Sequence, residues 1–73
     1  MQQYLNLGEK SGIEVYEISG TYISIKFKRS SKIYIYRYNR AGRDNVEIMK
    51  ILARKGQGLN SYIMKNVKDL HDI

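Results

Sequence analysis

The residues best suited to chemistry lie in the middle of the chain, where basic side chains are interleaved with tyrosines. Residues 20–43 carry seven lysines and arginines and no acidic residue, within a chain of 73 residues whose formal net charge is +6. Cationic side chains neutralise phosphates and tyrosine rings stack on unpaired bases, so this pattern is typical of a surface that binds RNA or single-stranded DNA. The predicted nucleic-acid-binding residues are Lys26, Lys28, Arg29, Lys32, Tyr36, Arg37, Tyr38, Arg40 and Arg43.

Catalytic and metal-binding residues are not expected. The chain has no cysteine, and its one histidine, His71, lies between Asp69 and Asp72 in a polar tail that we expect to fray. Without cysteine no thiolate nucleophile or thiolate zinc site can form, and three ligands on a fraying tail make a poor metal site. Residues 56–58 (GQG) lack the spacing of a Rossmann or P-loop phosphate site, which favours a helix end followed by a turn. We therefore expect a protein that is not an enzyme and uses no cofactor.

Composition favours a cytoplasmic protein. The N-terminus lacks the basic and apolar regions of a secretory signal, and no apolar run approaches the roughly 18 residues that a membrane span requires. The absence of cysteine suits a reducing compartment. Isoleucine, lysine, asparagine and tyrosine make up 30 of the 73 residues, which fits an AT-rich bacterial or phage genome. We expect a cytoplasmic location and no membrane partner.

Three stretches of alternating apolar and polar residues predict β-strands. They cover residues 13–18, 21–28 and 32–38. The connections between them are too short for parallel crossovers, so the strands should form an antiparallel meander. Residues 1–12 are predicted to add a fourth strand at the edge of this sheet or to lie loosely across its end.

Two helices are predicted after the strands. Residues 44–55 place apolar side chains at helical spacing, with Asp44 as the N-cap and Gly56 after the last turn. A shorter helix should begin with Asn60 as its cap and end near residue 67, before a polar tail of residues 68–73. The sequence thus predicts one α+β domain, residues 13–67, in which a three- to four-stranded antiparallel meander is followed by two helices packed on one face.

The buried face of the third strand is the open question. The second strand must bury its apolar side, because its other side carries Lys26 and Lys28. A hairpin loop of two or four residues pairs Phe27 with Tyr34 and turns the tyrosines into the core, whereas a loop of three residues turns them outward beside the lysines. The outward arrangement would form an aromatic and basic stacking platform, and the inward one would leave the isoleucines of this strand exposed as a contact surface.

The order of these elements, a Tyr-x-Tyr run and the segment ARKGQGLNSYIMKNV resemble the KTSC domain. This small domain is found at the C-terminus of some lysyl-tRNA synthetases and as stand-alone bacterial and phage proteins. The matching positions run from about residue 11 to residue 67, and the most specific are Ala53, Gly56, Asn60 and Ile63. The family's Val-Pro between the tyrosines and the helix is replaced here by Asn-Arg-Ala-Gly. The resemblance implies the fold, and its synthetase context suggests RNA binding.

Taken together, the sequence predicts a non-enzymatic binding module. The first hypothesis is binding of RNA or single-stranded DNA through a basic, tyrosine-bearing sheet and hairpin surface. The alternative is a small protein–protein interaction module, such as a phage-type inhibitor or a homodimeric adaptor, because tyrosine and arginine anchor such interfaces and an open sheet edge or face can pair with a partner.

Overall fold

A four-stranded antiparallel sheet forms one layer of the fold, and helices form the other. The computed structural model describes residues 1–7 and 11–72. The strands lie in chain order across the sheet and are β1 (Gln2–Gln3), β2 (Ile13–Ile18), β3 (Tyr22–Phe27) and β4 (Ile33–Arg37). The helices are α1 (Tyr38–Ala41), α2 (Arg43–Lys55) and α3 (Leu59–Tyr62), and α3 continues into a π-helical turn, Ile63–Val67. The predicted α+β fold with an antiparallel meander is confirmed.

The core lies between one face of the sheet and the inner side of α2. Ile23 and Ile25 of β3 are fully buried, as are Val46 and Met49 of α2. Burying a side chain of this size contributes roughly 1.5–3 kcal/mol, so this layer contact supplies much of the stability of so small a chain. The apolar side of β3 is therefore the buried one, as its pattern predicts.

The register between β3 and β4 decides where the tyrosines lie. Ile23 lies opposite Tyr36 and Ile25 opposite Tyr34, and residues opposite each other in an antiparallel pair share a face. Tyr36 is accordingly buried, with 1% of its surface exposed, whereas Ile33 is 43% exposed on the outer face. The outward arrangement, with a tyrosine platform on the open face, is wrong. The observed pairing differs from the predicted one by two residues, because Ile25 and not Phe27 lies opposite Tyr34. A shift of two residues leaves every side chain of the strand on its predicted face.

The predicted helix N-caps are also wrong. The residue that caps α2 is Gly42, and Asp44 lies inside the first turn with no side-chain capping bond. Its carboxylate still suits the positive end of the helix dipole. Gly58 precedes α3, which places Asn60 within the helix instead of at its cap. Both helices begin after a glycine with positive φ, and neither has a side-chain capping bond.

Both ends of the described chain are attached to the rest of the fold. Near the N-terminus, β1 pairs with β2, and the buried Tyr4 hydroxyl accepts a hydrogen bond of 3.2 Å from the amide of Leu59. At the opposite edge, Asp72 forms an antiparallel bridge with Ile35, in which the Asp72 amide donates to the Ile35 carbonyl at 2.7 Å. The tail therefore extends the free edge of β4 instead of fraying. In the described ranges no helix is long and apolar enough to cross a bilayer.

Gly56→Ala should lower the free energy of unfolding by about 1–2 kcal/mol. Gly56 follows the last residue of α2 and has a left-handed backbone conformation, with φ of 78°. Residues with a side chain adopt this conformation at a cost of about 1–2 kcal/mol. An added Cβ would also lie 2.7 Å from Cβ of Leu5. Urea unfolding measures the change. Gly20→Ala is the matched control, since an added Cβ there meets nothing within 4 Å; equal stability of the two variants would contradict the prediction.

Candidate nucleic-acid interface

The seven cations of the acid-free segment separate into three groups. Lys28, Arg29 and Lys32 belong to the loop between β3 and β4, residues 28–32, which we call the hairpin tip. Arg40 and Arg43 lie beyond the other end of β4, on α1 and at the start of α2. Lys26 and Arg37 lie between them on the outer face of the sheet. A strand rises roughly 3.3 Å per residue, so β4 holds the two end groups on the order of 15 Å apart.

The two outer-face cations are paired with carboxylates from outside the acid-free segment. Lys26 Nζ lies 2.6 Å from Glu14 Oε1, and Arg37 Nε lies 3.2 Å from Asp72 Oδ2. The Arg37 guanidinium also lies 5.4 Å from the centre of the Tyr22 ring. Exposed pairs of this kind add about 0–1 kcal/mol to stability, but they cancel the local charge. The predicted continuous cationic sheet surface is therefore not formed.

Tyr38 takes part in a polar cluster beside α2. Its hydroxyl donates a hydrogen bond to Glu47, which also accepts one of 2.8 Å from Lys50 Nζ. The hydrogen bond from Lys50 has the larger effect on Glu47, followed by that from Tyr38, and together they lower the pKa of the Glu47 carboxyl below its usual value of 4.5. The cations of Lys50 and Arg43 lie 5.5 and 5.9 Å from the centre of the Tyr38 ring. With these partners around it, Tyr38 connects the start of α1 to α2 and is not presented as a free stacking surface.

Tyr36 is equally unsuited to the predicted role. Its ring is buried beneath the helices, and burial, reinforced by Tyr34 and Asp69, raises the pKa of its hydroxyl to about 12. A base cannot stack on a ring that is 1% exposed. Tyr36 therefore acts in the core.

The hairpin tip keeps its cations accessible. Lys28, Arg29 and Lys32 are exposed, and no carboxylate among residues 1–7 and 11–72 forms an ion pair with them. The backbone of the tip is held in place, because the Lys28 amide donates to the Gly12 carbonyl at 2.7 Å and the Lys32 amide donates to Ser30 Oγ at 3.0 Å. The tip therefore presents three unpaired cations on an ordered loop.

An aromatic pocket of about 330 Å³ opens beside the hairpin tip. Two tip-side residues, Phe27 and Ser30, contribute to its wall, and the π-helical turn contributes Met64. Single π-helical turns are found often at functional sites, where they redirect side chains. The residues that line the pocket are Phe27, Ser30, Tyr34, Tyr36, Met64, Lys68, Asp69 and His71.

The rings in this pocket are packed edge to face. The Phe27 and Tyr34 centroids are 5.5 Å apart at 75°, and the His71 ring lies 4.7 Å from Tyr34 at 84° and 5.9 Å from Tyr36 at 76°. Each such contact adds roughly 0.5–1.5 kcal/mol beyond simple burial. The rings are thereby fixed in orientation before any ligand arrives.

His71 has a different environment from the solvated tail that its sequence position suggests. The bridge between Asp72 and Ile35 carries it onto the tyrosines of β4, where its Nδ1 is buried without a hydrogen-bond partner. It is the one buried side-chain nitrogen or oxygen in this situation in the described part of the chain. Buried polar atoms are normally paired, so this unpaired nitrogen beside the pocket is an exception that a hydrogen-bond donor from a water or a ligand would satisfy. No local pattern in DLHDI predicts this position.

Searches against models of known families, curated proteins and solved structures gave no match. The resemblance to the KTSC domain therefore stays a prediction, and no role is taken from it. In the part of the chain that the structure describes, no group of three or more histidine, aspartate or glutamate side chains is placed to hold a metal ion.

Tyr36→Phe should reduce the loss of stability at alkaline pH. An unfolded tyrosine ionises near pH 10.0 and Tyr36 in the fold near pH 12, so its contribution is complete below about pH 10 and is lost as the pH rises to about 12. This interval corresponds to on the order of 2 kcal/mol. Urea unfolding of both proteins from about pH 8 to pH 12 gives the two slopes. Equal slopes would show that burial does not suppress ionisation of this hydroxyl.

Proposed function

We propose that the protein is a non-enzymatic module that binds single-stranded nucleic acid at the hairpin end of its sheet. The observation that carries the proposal is the aromatic pocket with an orphaned imidazole nitrogen beside three unpaired cations. The cations of the hairpin tip would neutralise backbone phosphates, and one unstacked base would enter the pocket. This is a narrower surface than the sequence predicts, and a cytoplasmic location, supported by the absence of cysteine, belongs to the same proposal.

The pocket suits a base in both shape and chemistry. Its volume of about 330 Å³ accommodates a flat heterocycle, and the half-buried rings of Phe27, Tyr34 and His71 in its wall offer surfaces for stacking. The base edge carries donors and acceptors that can pair with Ser30 and the Asp69 carboxylate at the pocket wall, and with His71 Nδ1 once the imidazole turns toward the pocket. Lys68 adds a fourth cation at the rim. A single strand supplies such a base at little cost, because its bases are already unpaired.

The charge of the tip sets the expected strength of binding. Three phosphates neutralised on a single strand predict a slope of about −2 in log affinity against log salt concentration. Contacts with phosphates carry no sequence information, so any base preference would arise in the pocket.

Arg29→Glu should weaken binding of a labelled single-stranded ten-mer by about tenfold or more and make the salt slope shallower. Arg40→Glu is the matched control, because it makes the same change of charge on an exposed residue at the other end of β4. Fluorescence anisotropy between about 50 and 200 mM salt measures both quantities for RNA and DNA. Equal losses in the two variants, or no binding of the natural sequence at about 50 mM salt, would overturn the proposal.

His71→Phe should weaken binding by about 3- to 10-fold without changing the salt slope. Phenylalanine keeps a ring against Tyr34 and Tyr36 but removes the nitrogen, and one hydrogen bond contributes roughly 0.5–1.5 kcal/mol. The same anisotropy titration measures this, and a thermal melt checks that the tail remains folded. An unchanged affinity, with charge reversal at the tip still effective, would place the base elsewhere and leave only the phosphate contacts.

A further inference from the structure

Helix α2 carries a second stripe on the side away from the core. Its inner side buries Val46, Met49, Lys50 and Ala53. On the other side, four residues follow one another at intervals of four, three and four, which is the spacing of a coiled-coil seam. This stripe, which we call the α2 seam, consists of Asp44, Ile48, Ile51 and Lys55.

The centre of the α2 seam is apolar and exposed. Ile48 is 40% exposed and Ile51 is 59% exposed. Leu52, one turn after Ile48, is half-buried and flanks them. A single exposed isoleucine is ordinary on a protein surface, but two on adjacent turns of one helix form a stripe that favours contact with another helix.

The charges at the two ends of the seam identify the partner. Asp44 lies in the first turn and Lys55 in the last, and neither forms an ion pair with another residue in the ranges 1–7 and 11–72. Asp44 and Lys55 are equidistant from the middle of the seam, as are Ile48 and Ile51. If a second copy of α2 lies antiparallel, each Asp44 meets a Lys55 and each Ile48 meets an Ile51. A parallel copy would instead place like charges together, which is unfavourable.

We propose that two copies of the chain associate through antiparallel pairing of α2, with the isoleucines at the centre and an Asp44–Lys55 ion pair at each end. The contact is self-complementary, as two-fold symmetry requires. The helix has 13 residues and is therefore about 20 Å long. So short a seam buries less than the roughly 800 Å² per partner of a standard interface, so the dimer is weak and depends on concentration. The proposal does not depend on nucleic-acid binding.

Sedimentation equilibrium from about 10 µM to 1 mM, without nucleic acid, tests for the dimer. The natural sequence should shift from monomer to dimer over this range. Ile51→Glu should weaken the association at least about tenfold, because it places an uncompensated charge at the centre of the seam, while as an exposed helical residue it should not disturb the monomer. Leu70→Glu is the matched control: it replaces a residue that is 38% exposed outside α2 and should leave the dimer intact. A monomer at all concentrations, or equal effects of the two variants, would overturn the proposal.

Charge reversal at the ends tests the antiparallel orientation. Asp44→Lys and Lys55→Asp should each weaken self-association, because the first chain then has two lysines on its seam and the second has two aspartates. A chain that carries both changes should dimerise about as well as the natural sequence, since an antiparallel copy again joins opposite charges at each end, whereas a parallel copy would join like charges. If this double variant associates no better than the single variants, the antiparallel pairing is wrong. Thermal melts of each variant by circular dichroism check that α2 is retained.

Discussion

The pairing register of β3 with β4 determines most of what this molecule can do. Because Ile23 lies opposite Tyr36, the tyrosines of β4 point beneath the helices and the isoleucines point outward. A shift by one residue would reverse every side chain of β4, since successive residues of a strand alternate between faces. The same register aims Tyr34 and Tyr36 at the place where the tail returns along β4, so that the aromatic pocket is a direct consequence of the hairpin.

The charge of the surface depends on the ends of the chain as much as on its basic centre. Glu14 on β2 and Asp72 near the end of the described chain both lie outside residues 20–43, yet each lies against a cation of the outer face. An acid-free stretch therefore does not become an anion-attracting surface by composition alone. The hairpin tip keeps three exposed cations that form no ion pair with a described residue, and Arg40 and Arg43 at the other end of β4 are two more. Local exposure, and not the total of +6, decides where an anion can bind.

Patterns in the sequence predict the elements well and their mutual placement poorly. Alternation in β3 and the helical spacing around Met49 are repeated signals, and the meander and α2 follow from them. The sequence does not determine which face of β4 is buried, because both of its sides carry large apolar residues and a change of one residue in loop length exchanges the two faces. The prediction of Asp44 as the N-cap was wrong because α2 begins one residue earlier, at Arg43, directly after Gly42. His71 could not be placed, since its position depends on a bridge to β4 that only the completed fold provides.

The two proposed surfaces lie on different elements, and this separation has a consequence for affinity. Each hairpin tip offers only three cations, so one chain would hold a single strand weakly and in a salt-sensitive manner. The α2 seam uses none of the residues of the tip or the pocket, so a dimer formed through it keeps both tips free. Two linked tips on one strand make the second contact intramolecular, which raises the apparent affinity without any new interaction. Because the dimer is weak, the nucleic acid itself would promote dimerisation by holding two chains together. By linkage, dimerisation would strengthen nucleic-acid binding to the same extent.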